Sequence, residues 1–273
     1  MTLGSIMRRM FRLTREVRFA VNASRDPQLS GTPTNGYGGF PAMTGFGPFL
    51  TVDVTLAGPL DSVSGYLINI KQIDKTVRDR VIPTVSQAIH GPTGKSPPQL
   101  ISRLYQMLEA WPPLSLEEVR LRLSPFLSYS VRASERPMIR LSQKFEFSAT
   151  HRLHNPMATD EENRHIFGKC NNPHGHGHNY ELQVTLLGEP DASGLLIDIP
   201  DFERIVSTTI LDHFDHKNLN IELPEFRELI PTVENIAMTI YELLKPRFSK
   251  QRAQLASVTV WETPKTWCEY SEP

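Results

Sequence analysis

The stretch GHGHNYELQVTLLGEPDASGLLIDI, residues 175–199, has a counterpart earlier in the chain, GFGPFLTVDVTLAGPLDSVSGYLINI, residues 45–70. Each contains an apolar alternating run, a turn with glycine, aspartate and serine-glycine, and a second apolar run. This pattern predicts strand, turn, strand. A similarity of this length indicates that the chain contains one module twice.

Further matched segments lie on both sides of this pair and in the same order. Residues 17–27 resemble 145–156, and two segments with helical apolar spacing and one hairpin follow in each half. Each half therefore predicts the order β-β-α-α-β-β. The predicted fold class is α+β, with an antiparallel four-stranded sheet and two helices on one face, present twice. Polar residues and Pro137 interrupt the strand patterns near residues 133–140, so we predict modules over 14–136 and 137–273.

The composition of the chain indicates which classes of partner it can bind and where it can reside. The net charge is −1 over 273 residues, which disfavours nucleic acid, and no apolar run approaches the ~20 residues of a membrane span. Cys170 and Cys268 are the only cysteines, which favours a reducing cytoplasm. Residues 1–13 are basic without an apolar core, so we expect an N-terminal extension and no secretory signal.

The halves differ most in their chemically reactive side chains. The N-terminal half has apolar or simple polar residues where the C-terminal half has histidine or carboxylate. The aligned pairs are Ala23 with His151, Phe46 with His176, Pro48 with His178, Ser86 and Gln87 with Asp215 and His216, and Leu123 with Glu262. We interpret the first module as degenerate and the second as the functional one.

Three of these residues predict a zinc site. His176 and His178 are two apart at the start of a predicted strand, so both rings face the same side. His151 ends the preceding predicted strand, and neighbouring strands lie about 4.8 Å apart. Three neutral histidines with an open fourth position are typical of catalytic zinc. Alone, an H-x-H pair in a loop is often incidental, and His174 is interpreted as a supporting or solvated residue.

Two further motifs predict proton transfer. Cys170 follows Lys169, and a neighbouring positive charge favours the thiolate, so Cys170 is a candidate general base. The alternative is a small buried apolar residue. Asp215 and His216 form an Asp-His pair that can move protons near neutral pH. A polar helix end is the alternative for that pair.

A ligand anchor is predicted at the end of the chain. Glu262 lies at the end of a mostly apolar strand and is a candidate acceptor for two parallel N–H groups, as in an aminopyrimidine. Thr232 is first a helix N-cap and Glu234 a favourable first-turn charge. A role of either residue in ligand binding would be additional.

In order, the segments FSATHRL, FGKCNNPHGHGHNY, FDHKNL, PTVEN and VWET closely resemble the 6-pyruvoyltetrahydropterin synthase family over residues 143–270. The resemblance implies a tunnelling fold (T-fold), in which the sheets of several modules join into a barrel. It implies Zn²⁺ on His151, His176 and His178, Cys170 as base, and Asp215 with His216 as relay. Glu262 would anchor a pterin, helped by Thr232 and Glu234.

The family implies conversion of 7,8-dihydroneopterin triphosphate to 6-pyruvoyltetrahydropterin, with loss of triphosphate and without nicotinamide. 6-Carboxytetrahydropterin synthase, of the queuosine pathway, is a relative that uses the same substrate. Its cysteine usually lies nearer the histidine pair, so the spacing CNNPHGH favours the pyruvoyl type. A third alternative is a non-catalytic scaffold that binds pterin or metal.

The resemblance also implies an oligomer. The family commonly assembles six single modules as two stacked trimers, and three two-module chains satisfy the same plan. We therefore expect a homotrimer, with the degenerate copies supplying structural sheet.

Overall fold

A computed structural model describes residues 10–23, 33–91 and 95–272. It divides into two compact units, residues 1–141 with 189–195, and residues 142–188 with 196–273. The expected extension at residues 1–13 lies mostly outside the described residues, and its last residues belong to a strand that begins at Phe11. Within the described part, no helix is long and apolar enough to cross a membrane.

The first unit has four strands in the order β1-β2-β3-β4. These are β1 (Phe11–Ala20), β2 (Phe49–Gly58), β3 (Ser115–Arg122) and β4 (Leu127–Arg132), and each adjacent pair is antiparallel. Between β2 and β3 lie α1 (Ile70–Thr76), a π-helical turn (Val77–Val81), α2 (Ile82–His90) and α3 (Pro97–Leu108). Ser96 caps α3 in a capping box with Gln99, and Pro97 fits the first helical turn.

The second unit contains most of β5 (Ile139–His151), followed by α4 (Asp160–Phe167) and β6 (His176–Gly188). Next come α5 (Ile199–Val206), a π-helical turn (Ser207–Leu211), α6 (Asp212–Phe214), β7 (Lys217–Asn218) and α7 (Leu219–Glu222). The unit ends with α8 (Val233–Phe248), β8 (Gln254–Thr263) and β9 (Thr266–Tyr270). The strand order is β5-β6-β8-β9, and β7 pairs with β5 in parallel.

The alternation of apolar and polar side chains along each strand explains which face of this sheet is buried. Tyr180, Leu182 and Val184 on β6 are completely buried, as are Val258 and Val260 on β8. Helix α8 packs on β8 and β9 and buries Ile236, Ile240 and Leu244, which lie four residues apart on one helix face. The other sheet face is polar, with Ser142 bonded to Thr185 (3.0 Å) and Ser148 to Asn179 (2.7 Å).

The two units share local irregularities. The β2–β3 ladder shifts register between Thr55 and Leu56, and the β6–β8 ladder shifts between Thr185 and Leu186. A π-helical turn also interrupts the first long helical segment of each unit. The mixed helix and antiparallel-sheet class is confirmed. The sheet strands of the described residues do not close on themselves, so the barrel and the duplication stay predictions.

Candidate metal centre and its surroundings

The ends of two neighbouring strands bring the three predicted histidines together. His151 is the last residue of β5, and His176 and His178 are the first and third residues of β6. One ring nitrogen of each lies within 4.8 Å of those of the other two, and the Nε2 atoms of His151 and His176 are 3.1 Å apart. This is the one such group of three metal-binding side chains among residues 10–23, 33–91 and 95–272.

The backbone fixes which nitrogen of His151 is free. Nδ1 lies 2.7 Å from the carbonyl oxygen of Pro231, so Nδ1 must bear the hydrogen and donate it. In the neutral ring Nε2 then has an unprotonated lone pair. His151 is completely buried, and burial lowers its pKa to about 4, so the ring is neutral near pH 7. Burial also lowers the pKa of His176.

The surroundings of His178 also fit a bound cation. His178 Nε2 is buried and has no hydrogen-bond partner among the described residues. The carboxylate oxygen Oε1 of Glu262 lies 3.3 Å from His151 Nε2 and 3.6 Å from His178 Nε2. A carboxylate facing an imidazole lone pair is favourable when a positive ion lies between them. The three histidines could therefore hold a metal ion.

Close backbone approach shapes the start of β6. Gly175 has φ 72°, a left-handed conformation that favours glycine. A Cβ atom there would meet the carbonyl oxygen of His151 at 3.0 Å. Gly175 thus lets the chain turn into β6 against the end of β5, next to two of the three imidazoles.

Tyr180 was not singled out by the sequence reasoning. It is completely buried, and its hydroxyl lies 3.5 Å from both nitrogens of His151, so it contacts the face of that ring. Burial raises its pKa, with contributions from the charges of Glu262 and Cys170. Its position two residues after His178 places it on the same strand face, and this alternation was the available signal.

Cys170 lies in a 3₁₀ turn, Gly168–Asn171, before β6. Its carbonyl oxygen accepts a hydrogen bond of 2.9 Å from the amide of Leu153, which ties this turn to the segment after His151. The thiol is half-buried and near enough to Tyr180 to affect the pKa of the tyrosine. The turn that holds Cys170 is thus tied to the segment that directly follows His151.

Asp215 and His216 lie beside β5, away from the cluster. Asp215 Oδ1 accepts from the Ser148 amide at 2.7 Å, and Oδ2 is 2.8 Å from His216 Nδ1. The Ser148 amide and the His216 ring lower the pKa of Asp215. His216 has φ 59° and its side chain is 83% exposed. Ser148 precedes His151 by three residues, roughly 10 Å along a strand.

An open cavity of about 520 Å³ lies beside His216. Its lining includes His216, Lys217, Asn179, Thr150 and His178, and the described lining residues do not include Cys170. Thr150 and Asn179 alternate with His151 and His178, so they face the opposite side of the sheet. Within one unit, the pair and Cys170 are therefore not brought together.

The remaining predicted residues lie at the start of α8. Thr232 is the N-cap and accepts a 3.4 Å hydrogen bond from the Asn235 amide. Glu234 is exposed in the first turn of the helix. Burial is the largest cause that raises the pKa of Cys268 on β9, and the negative charge of Glu234 raises it further. Thr232 directly follows Pro231, the residue that orients His151.

Comparison with known proteins decides the family. The family model of 6-pyruvoyl tetrahydropterin synthase matches residues 140–273. A 6-pyruvoyl tetrahydrobiopterin synthase of Drosophila melanogaster is 38% identical over 141 residues, 51% of this chain and 83% of the relative. The chain belongs to the 6-pyruvoyl tetrahydropterin synthase family. It is accordingly an enzyme, a lyase, and the family expected from the sequence is confirmed.

Two further relatives match a similar share of the chain. A 6-carboxy-5,6,7,8-tetrahydropterin synthase of Haemophilus influenzae is 31% identical over 156 residues, 50% of this chain and all (100%) of the relative. The solved structure of 6-pyruvoyl tetrahydropterin synthase from Caenorhabditis elegans is 40% identical over 50% of this chain and 97% of that chain, with a TM-score of 0.48. Members of this family depend on a metal ion, which agrees with the donor set of the histidine cluster.

Proposed function

We propose that this protein converts 7,8-dihydroneopterin triphosphate to 6-pyruvoyltetrahydropterin, with elimination of triphosphate. The observation that supports this most is the convergence of His151, His176 and His178 in the half that matches the family. The backbone of Cys170 is bonded to the segment after His151, and the Glu262 carboxylate lies 3.3 Å from His151 Nε2. The three histidines would hold the metal, and we propose zinc, because three imidazoles are a common catalytic zinc set.

When bound, zinc would supply Lewis-acid polarisation of a substrate oxygen. The chain's own groups would position the substrate and move its protons. Pro231 keeps the lone pair of His151 Nε2 directed at the ion through its hydrogen bond to Nδ1. Tyr180 closes the buried side of the His151 ring, which excludes water from that side.

Cys170 would act as the general base that removes a proton from a side-chain carbon of the substrate. It is half-buried, and Lys169 precedes it in the chain. A nearby cation, including the bound metal, favours the thiolate that this step requires. The substrate proton would move to Sγ, and the electron pair would remain on the substrate.

Asp215 and His216 would return a proton at a different substrate atom. Asp215 orients the His216 ring through the 2.8 Å contact at Nδ1, which leaves Nε2 free for the substrate. Since His216 lines a cavity whose described lining does not include Cys170, we propose that the pair serves a site completed by another copy of the module. Glu262 would accept N–H groups of the pterin ring, with Thr232 and Glu234 shaping the same region.

6-Carboxytetrahydropterin synthase activity is the second candidate. The Haemophilus influenzae relative of that name matches along its entire length, which favours this alternative specifically. The six positions from Cys170 to His176 still favour the pyruvoyl type, because the relative's class usually has a shorter spacing.

One experiment separates these candidates. Zinc-loaded protein is incubated with 7,8-dihydroneopterin triphosphate, and the products are identified by mass. We expect triphosphate and 6-pyruvoyltetrahydropterin, whereas a cleaved side chain would support the carboxy enzyme. Bound zinc without triphosphate release would support the scaffold and contradict the proposal. The Cys170→Ala variant should retain zinc and lose turnover.

We also propose that the chain arose by tandem duplication and assembles as a homotrimer in which six modules form two rings of sheet. The shared register shifts and π-helical turns of the two units support the duplication. The exposed apolar side chains Phe11 on β1 and Trp267 on β9, both on terminal strands, support edge-to-edge pairing of chains. Light scattering should give three times 31.0 kDa, and a monomer mass would contradict this.

A cytoplasmic location is proposed from the two free cysteines.

A further inference from the structure

Glu262 lies near the end of its strand, on the face that carries the histidine cluster. The β8–β9 ladder shifts register between Trp261 and Thr263, so Glu262 is the unpaired residue of a β-bulge in that ladder. Trp261 pairs with Glu181 on β6, and alternation places Glu262 on the same face as the buried Val258 and Val260. Here the carboxylate is turned toward the histidine cluster, and its side chain is only 21% exposed.

The two distances at this carboxylate are close to the edge length of a tetrahedral metal site, although Glu262 does not belong to the group whose donor atoms all lie within 4.8 Å of one another. Two donor atoms on a tetrahedral zinc, each about 2.0–2.1 Å from the ion, lie roughly 3.3 Å apart. Three donor pairs lie near this value. They are His151 Nε2 with His176 Nε2 (3.1 Å), His151 Nε2 with Glu262 Oε1 (3.3 Å), and His178 Nε2 with Glu262 Oε1 (3.6 Å).

The hydrogen-bond roles support the same conclusion. His151 Nε2 has no hydrogen to offer, because Nδ1 donates to Pro231. A carboxylate oxygen has none either, so these two acceptors face each other at 3.3 Å. His178 Nε2 is buried and has no hydrogen-bond partner among the described residues. A cation shared by the three atoms would satisfy all of them.

We propose that Glu262 is a fourth protein ligand of the metal when no substrate is bound, and that a pterin ring draws the carboxylate away from the ion. The site then alternates between a closed set of three histidines and one glutamate, and an open set of three histidines. The second half of this proposal rests on the proposed function, because it assigns the ring of the substrate to Glu262. The first half concerns only the metal and this chain.

The test uses full-length protein loaded with Co²⁺, whose visible absorption reports its ligands. Glu262→Gln preserves the size of the side chain and removes its charge. We expect its Co²⁺ bands to differ from the wild type and its Co²⁺ affinity, measured by chelator competition, to fall at least about tenfold. The Co²⁺ affinity of Glu262→Asp should lie between those of the wild type and Glu262→Gln.

The matched control is Glu181→Gln, on the opposite face of the same sheet. Glu181 pairs in register with Trp261 and contacts Lys144 at 2.6 Å. Its Co²⁺ spectrum and affinity should equal those of the wild type. Identical spectra and affinities for wild type, Glu262→Gln and Glu262→Asp would overturn the proposal.

Pterin without a side chain tests the second half, because it lacks hydroxyl groups that could bind the metal. Its binding is followed by its own fluorescence. Bound pterin should shift the Co²⁺ bands of the wild type toward those of Glu262→Gln and leave those of the variant unchanged. Bound pterin with unshifted wild-type bands would refute the alternation. The two proposals can fail separately. If the enzyme shows no lyase turnover but the wild-type and Glu262→Gln spectra differ, the proposed function is refuted and the metal role of Glu262 is retained.

Discussion

His151 Nδ1 donates a hydrogen bond to the carbonyl oxygen of Pro231 across 2.7 Å, between the end of β5 and the residue before the N-cap of α8. This contact sets the tautomer of the most buried histidine of the cluster and fixes its ring orientation. The start of α8 is thereby part of the metal site, although none of its side chains is a proposed metal ligand.

Removal of one proposed ligand should abolish tight metal binding. We expect His176→Ala to lower zinc affinity at least about a hundredfold, because two imidazoles cannot replace three. Chelator competition measures the affinity. His174→Ala is the matched control, since His174 is exposed in the same loop. Equal losses in both variants would show that the loop, and not the cluster, binds the metal.

The two cysteines should differ in their effect on turnover. Cys170→Ala should lower triphosphate release at least about a hundredfold with unchanged zinc content, because the general base is lost. Cys268→Ala should leave turnover unchanged. Burial raises the pKa of the Cys268 thiol, so Cys268 is protonated near neutral pH and unsuited to act as a base. Turnover is followed by release of inorganic triphosphate, and an active Cys170→Ala variant would contradict the assignment.

His216 should prove important for catalysis and not for stability. Its φ of 59° is left-handed, a conformation that asparagine also tolerates. We expect His216→Asn to change the free energy of unfolding by less than about 0.5 kcal/mol and to lower turnover at least about a hundredfold. Urea unfolding and triphosphate release measure the two effects.

His213→Asn provides the control, because Asp212 and His213 form the same dipeptide one turn earlier. His213 Nε2 contacts Glu225 at 3.0 Å, away from the proposed relay. Its substitution should leave turnover intact. A loss of turnover as large as that of His216→Asn would count against a specific relay.

Alkaline pH should destabilise the first unit through Tyr129. Burial raises the pKa of Tyr129 to about 12, above the value of about 10 for an unfolded chain. The neutral hydroxyl therefore contributes stability that is complete below pH 10 and is lost as pH rises toward 12. This loss is on the order of 2 kcal/mol. Denaturant unfolding from pH 9 to 12 should show it in the wild type and show less of it in Tyr129→Phe.

The triad was predictable because alternation is a property of sequence. His176 and His178 share a strand face by their spacing, and His151 ends the preceding strand. The same rule applied to Tyr180 would have found the hydroxyl against His151. The four main strands and the longer helices of each half were equally visible, since apolar periodicity differs between the two element types. The short elements α4, β7 and α7 of the second half were not predicted, because they are short and mostly polar.

Other features depend on contacts that no sequence pattern encodes. The orienting group at Pro231 is a backbone carbonyl, which every residue has. Glu262 is predicted from the sequence as an anchor for a ligand ring, and its approach to the histidines depends on the register in which β8 pairs with β6. The separation of the Asp215–His216 pair from Cys170 follows from β7 pairing beside Ser148.

The position of Glu262 in β8 also restricts how this hairpin can evolve. Side-chain faces alternate along a strand, so removing the single residue between Val260 and Glu262 would turn the carboxylate to the polar sheet face. Residues next to Glu262 can be substituted, but no residue can be inserted or deleted there without moving the carboxylate. In this hairpin the length of the chain, more than its composition, is under functional constraint.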